Sequence, residues 1–102
     1  MKSFEKVYKF VSFVPKGKVT TYGAISKLTG LNAKVVGYAL HANGDPVGVP
    51  CHRVINSKGK ISKGYAFGGP ESQKNMLEKE GIKFDKDEIV DLKKFGYLTP
   101  AF

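Results

Sequence analysis

Cys51, His52 and Arg53 stand in a row after the stretch Asn43-Gly44-Asp45-Pro46, and here the sequence groups a nucleophile with a base. Cys51 is the only cysteine in 102 residues, so no disulfide within the chain can occupy it. A thiol near an imidazole or a cation gains thiolate character and becomes a candidate nucleophile. The same residue in an apolar setting is a small buried hydrophobe, and the dipeptide by itself favours that reading. Adjacent residues of an extended segment point to opposite sides. A direct Cys51–His52 bond therefore requires a turn; without one, a bridging water must carry the proton. A carboxylate behind His52 would fix its tautomer and stabilise imidazolium, and Glu78 and Glu80 are both candidates. Other chemistries fall away. One cysteine and two histidines, His41 and His52, without CxxC or HxxxH spacing, do not make a zinc site. The chain has no GxxxxGK[ST] phosphate loop, and Gly64 to Gly69 does not fit GxGxxG. No metal or cofactor is expected.

A chain of this length makes a single domain over residues 1–102 that buries roughly two-thirds of the unfolded surface. Its 41% hydrophobic share supports a core. No apolar run reaches membrane-spanning length, and Met1-Lys2-Ser3-Phe4 does not open a signal peptide. A lone free cysteine then fits a reducing, intracellular compartment, cytoplasmic or nuclear. The net charge of +8 is one-sided: residues 1–60 hold ten Lys/Arg against two acids, residues 61–102 seven against seven. The surplus surrounds Cys51. It favours a polyanion such as nucleic acid and would equally suit a lysine-rich solvated surface.

The elements that must position Cys51 can be read in order. Ser3 can cap a first helix with Phe4, Val7, Tyr8 and Val11 on one face, ended by Pro15. Val19-Thr20 is short and extended. Thr21 is a good N-cap for a helix from about Tyr22 to Leu28 that buries Ala24, Ile25 and Leu28, and Gly30 is a natural stop. Asn32 caps the next helix, about Ala33 to Ala42, with Val35, Val36, Ala39 and Leu40 inward. Two short helices joined by a glycine-containing turn, about residues 21–43, read as a helix-turn-helix or as an ordinary helical hairpin. In the former the second helix carries Lys34, Tyr38 and His41 toward DNA. Residues of about 45–56 form an extended active-site loop, and Asn56 to Gly59 a turn. Ile61 to Gly69 reads as a mobile glycine- and aromatic-rich loop near a ligand. Pro70 at N1 opens a helix that buries Met76 and Leu77 and ends at Gly81. A tail, residues 82–102, docks by scattered apolar anchors: Phe84, Ile89, Val90, Leu92, Phe95, Tyr97 and Leu98. The fold class is mainly α, with a winged-helix-like helix-turn-helix and a short β hairpin or strand segment.

The run Val49-Pro50-Cys51-His52-Arg53-Val54-Ile55 after Asn43-Gly44-Asp45-Pro46 resembles the signature of the O6-alkylguanine-DNA alkyltransferases. The similarity extends upstream through Val14 to Tyr22 and Val35 to Ala39, and downstream through Gly59, Gly64-Tyr65 and Gly68-Gly69 to Leu77 and Glu80-Gly81. It spans roughly residues 4–84. It implies a DNA-repair protein that flips O6-alkylguanine out of double-stranded DNA and transfers the alkyl group irreversibly to Cys51 in a single turnover. On that resemblance His52 activates Cys51 through a water, Glu80 orients His52, and Asn43 ties the helix-turn-helix to the active-site loop. Tyr22 helps rotate the nucleotide and polarise the departing guanine. Val49, Pro50 and Val54, with the Tyr65-Ala66 backbone, line the guanine pocket. Thr21, Tyr22, Lys34, Val35, Tyr38 and Arg53 contact DNA. A monomer is expected, with excision-repair proteins as further partners. Lys34 stands where the family generally carries an arginine, a swap that loses the planar, stacking fork. Residues 65–70 and the tail Val90 to Tyr97 are more similar to the short alkyltransferase-like proteins, which bind alkylated guanine without reacting and usually have tryptophan in place of the cysteine. Such a non-reacting lesion binder is the alternative reading.

Overall fold

The computed structural model describes residues 2–61 and 67–98. Tyr65 and Ala66, expected in the guanine pocket, and most of the expected mobile loop lie outside them. The chain runs α1 (Lys2–Ser12), β1 (Thr20–Thr21), α2 (Tyr22–Thr29), α3 (Ala33–His41), a 3-10 turn (Cys51–Arg53), β2 (Val54–Ile55), α4 (Gly69–Lys79) and α5 (Leu92–Phe95). This is a mainly helical fold with a two-stranded sheet. The strand segment is a parallel pair, with Thr20 opposite Val54 and Thr21 opposite Ile55. A parallel pair needs a crossover rather than a hairpin, and α2, α3 and the 3-10 turn supply it.

Local signals account for the helices. Thr21 Oγ1 accepts from Ala24 N to cap α2, Gly30 closes it at φ 75°, and Asn32 Oδ1 accepts from Val35 N to cap α3. α1 begins one residue ahead of the expected cap, so Ser3 lies inside its first turn. At α4 the N-cap is Gly68, which puts Pro70 at the second helical position. Leu28 is exposed, because α2 turns its Ala24–Ile25 face to the core; Val35 and Met76 are half-buried.

Two apolar clusters result. The first packs Val7 and Val11 of α1, Ile25 of α2, Val36, Ala39 and Leu40 of α3, and Cys51 and Val54. The second holds Val19, Ile55, Leu77, Ile82 and Val90, flanked by Phe84, Leu92 and Phe95. Alternation along β2 sends Val54 into one cluster and Ile55 into the other. The tail is more ordered than a set of anchors. Val19 N donates to Phe95 O and Tyr97 N to Val19 O, which extends the parallel pairing to Gly96. Tyr97 and Leu98 themselves are exposed. Gly59 lets the tail approach: at φ 83° it accepts from Val90 N, and a Cβ there would meet Val90 O at 2.5 Å.

Candidate active site at the Cys51 turn

The segment leading to Cys51 is folded by its own polar groups. Asn43, buried at the end of α3, donates from Nδ2 to Val49 O (2.9 Å) and accepts at Oδ1 from Asp45 N (3.0 Å). Asp45 in turn accepts from Gly48 N through its carboxylate and from Val49 N through its carbonyl. Asn43 thus joins the second helix of the pair to the loop. Pro50 precedes the turn, Arg53 N donates to Pro50 O, and Val54 N donates to Cys51 O. The expected extended loop is therefore tightened at its centre, because Pro50 fixes φ at a value that suits the start of a 3-10 turn.

Cys51 is 5% exposed and packs in the first cluster, so it is a core residue and a candidate nucleophile at once. Burial pushes its thiol pKa up, and hydrogen bonds from Asn43 and from the backbone of Cys51 and His52 offset part of that rise. The resting group is a thiol. Its deprotonation has to be coupled to a base.

His52 is buried, and its Nε2 lies 3.0 Å from Glu80 Oε2. A carboxylate only accepts, so Nε2 carries the hydrogen and the neutral ring presents a bare Nδ1. Nδ1 is buried without a hydrogen-bond partner. Between Glu78 and Glu80, the structure brings Glu80 to the ring. Arg53 clamps the same carboxylate in a fork, Nε to Oε1 at 2.9 Å and Nη2 to Oε2 at 2.7 Å. Burial alone would raise the Glu80 pKa; the hydrogen bonds and charges of Arg53 and His52 outweigh it and hold the carboxyl below its ordinary value. Glu80 is thus an anion held in place by a permanent cation.

This geometry differs from the expectation that Arg53 reaches DNA. Its third nitrogen, Nη1, donates to Val14 O at 2.8 Å, so the guanidinium is turned inward and occupied. Thr21 is likewise buried, with its hydroxyl used as the α2 cap. Val54 lies in the first cluster, Pro50 is buried and Val49 half-buried. Tyr22, the first residue of α2, is half-buried against the same cluster. Lys34, Tyr38 and His41 are exposed along α3 at i, i+4 and i+7 spacing, opposite Val36, Ala39 and Leu40. Sequence reasoning missed Gln73, whose side-chain amide reaches the backbone of the Cys51 turn. The signal was there: Gln73, Leu77 and Glu80 are spaced i, i+4, i+7 along one stripe of α4 and its C-cap. Among the described residues no group of three His, Cys, Asp or Glu side chains could hold a metal, and no helix is long and apolar enough to cross a membrane.

The profile described as "6-O-methylguanine DNA methyltransferase, DNA binding domain" matches residues 2–82. Alkyltransferase-like protein 1 of Schizosaccharomyces pombe is 40% identical over 92 residues, 88% of this chain and 85% of its own. A methylated-DNA–protein-cysteine methyltransferase of Thermococcus kodakarensis is 40% identical over 80 residues, 78% of this chain; the match spans 44% of that protein, under half its length. The crystal structure of S. pombe Atl1 in complex with damaged DNA containing O6-carboxymethylguanine superposes with TM-score 0.79 at 36% identity, covering 94% of each chain. Relatives named as methyltransferases and as an alkyltransferase-like protein thus match the same chain, and the chain belongs to the 6-O-methylguanine DNA methyltransferase family of DNA alkylguanine repair, through its DNA-binding domain.

Proposed function

We propose that this protein binds double-stranded DNA through α2 and α3, takes an O6-alkylguanine nucleotide out of the stack, and accepts its alkyl group on Cys51 once. The observation that carries this reading is the thiol–imidazole–carboxylate order: Cys51, then His52 with a bare buried Nδ1, then Glu80 on His52 Nε2.

The steps balance. His52 Nδ1 takes the Cys51 proton through a bridging water, and Glu80 stabilises the imidazolium that forms. The sulfur attacks the alkyl carbon, the carbon–O6 bond breaks, and its electron pair stays on the guanine. The base, which carried no proton at N1 while alkylated, recovers one; the thiol proton thereby ends on the product. Tyr22, at the start of α2, serves nucleotide rotation and donation to the departing base. The thioether formed at Cys51 has no hydrolysable acyl bond, so the protein is consumed. Flipping costs a few kcal/mol of unstacking, and phosphate contacts from the basic first 60 residues offset it. Lys34 enters this balance as the charge at the N-terminal end of α3, near the vacated stack.

The test is intact mass after incubation with an O6-methylguanine duplex. One added methylene equivalent is expected, on the peptide that contains Cys51. Tight, lesion-selective binding without any mass gain would overturn the transfer step. That result would support the second reading, a non-reacting lesion binder that signals to excision-repair proteins. The similarity to alkyltransferase-like protein 1, which covers 88% of this chain, favours keeping it.

A further inference from the structure

We infer that Gln73 is a positioning residue for the reactive turn: its amide holds the backbone on which Cys51 and His52 are presented. Gln73 lies on the first half of α4 and is 1% exposed. Its Nε2 donates to His52 O at 2.9 Å and to Val54 O at 3.1 Å. Both acceptors are carbonyls, which cannot donate, so the amide nitrogen must face them and both its hydrogens are used. The two carbonyls flank Arg53, one inside the 3-10 turn and the other at the first residue of β2. Gln73 therefore fixes the exit of the turn relative to α4.

α4 and its cap hold the same turn twice. Gln73 grips the backbone of His52, and Glu80, two helical turns on, grips its ring. With backbone and ring both held, the direction of Nδ1 is set. Either anchor alone leaves the ring free to swing with the turn, or the turn free to unwind beneath the ring.

The amide also leaves an unpaired atom. Gln73 Oε1 is buried without a hydrogen-bond partner, an arrangement that packing for stability alone would avoid. An apolar residue of the same shape would spare that oxygen its desolvation, but it would release two carbonyls in the turn. The sequence keeps the donors.

This inference rests on the proposed transfer to Cys51, and its test separates the two. Q73M removes the donors while keeping shape, Q73E replaces them with acceptors, and Q73K restores N–H donors. Three quantities are read on folded protein: affinity for an O6-methylguanine duplex, the single-turnover rate of methyl transfer, and the rate at which iodoacetamide modifies Cys51 without DNA. Expected for Q73M and Q73E is wild-type DNA affinity, a transfer rate lower by about 10- to 100-fold, and an altered iodoacetamide rate. Q73K should keep the wild-type pattern in all three. If Q73M only lowers the melting temperature, with both rates unchanged per folded molecule, the inference is overturned. A stably folded Q73K with Q73M-like rates overturns it too, and it remains decisive where Q73M fails to fold. Should wild-type protein show no transfer, the proposed function fails, while the iodoacetamide comparison still decides whether Gln73 sets the environment of Cys51.

Discussion

Glu80 accepts from a permanent cation, Arg53, and from the ring of His52. Because its folded pKa is depressed, the folded state binds its proton less tightly than the unfolded chain does. The stabilisation is fully present above the unfolded value of about 4.3 and disappears as pH falls through the lower folded value. The difference in urea midpoint between wild type and E80Q should therefore be largest at neutral pH and shrink as pH falls below the unfolded value; a constant difference would refute the linkage. E80Q should also slow methyl transfer by about 10- to 100-fold, since His52 loses its orienting anion. A second residue-scale consequence concerns Cys51. It sits in the cluster with Val36, Ala39 and Leu40, so a methyl added to its sulfur must be accommodated in packed core. Overpacking of this kind costs about 1–3 kcal/mol. Methylated protein should melt several degrees below free protein by calorimetry; equal melting temperatures would mean that the cluster has room.

Among the elements, α3 carries the greatest demand: it contributes to the first core, displays Lys34, Tyr38 and His41, and ends at the Asn43 tie. Its exposed cap can be changed without touching any of these tasks. N32A should cost about 1 kcal/mol, read as a lower urea midpoint, and weaken DNA binding only through that loss. A fall in affinity with unchanged stability would instead mean that Asn32 contacts DNA. The caps at Thr21, Gly30 and Asn32 were legible in the sequence because each is settled within three or four residues. Arg53 was not. Its partners are 27 and 39 positions away, so the resemblance implied a DNA contact where folding made an internal clamp. Gln73 was silent for the same reason: its acceptors lie 21 and 19 residues back. The candidate centre was legible as residue types, and the scaffold that holds it was not. α5 escaped notice because four residues show no helical period.

At the scale of the whole molecule, the charge is divided along the chain. The surplus of +8 lies in residues 1–60, which supply the whole first cluster, while the second cluster joins Val19 and Ile55 to Leu77, Ile82 and Val90 of the charge-balanced remainder. DNA affinity should fall steeply with salt, by about 0.9 log units per log unit of salt for each phosphate neutralised. The K34A variant should reduce that slope by about one contact, measured by fluorescence anisotropy on modified duplex. An unchanged slope would take Lys34 off the phosphate backbone. The K34R variant should flip more efficiently, read as faster methyl transfer at equal affinity.

Val54 and Ile55 face different clusters, and that alternation has a consequence for the order in which the chain acquires its abilities. Everything the first cluster needs has been synthesised by Val54, whereas Gln73, Glu80 and the Phe95–Tyr97 pairing with Val19 come later. Sequence separation alone places the α2–α3 helix pair ahead of the clamp on the Cys51 turn. During refolding, pulse-labelled hydrogen exchange should show amides of α1 to α3 protected no later than those of residues 82–96, and the reverse order would contradict this. On the proposed function, a growing chain would then present its surface for DNA before it holds an armed thiol.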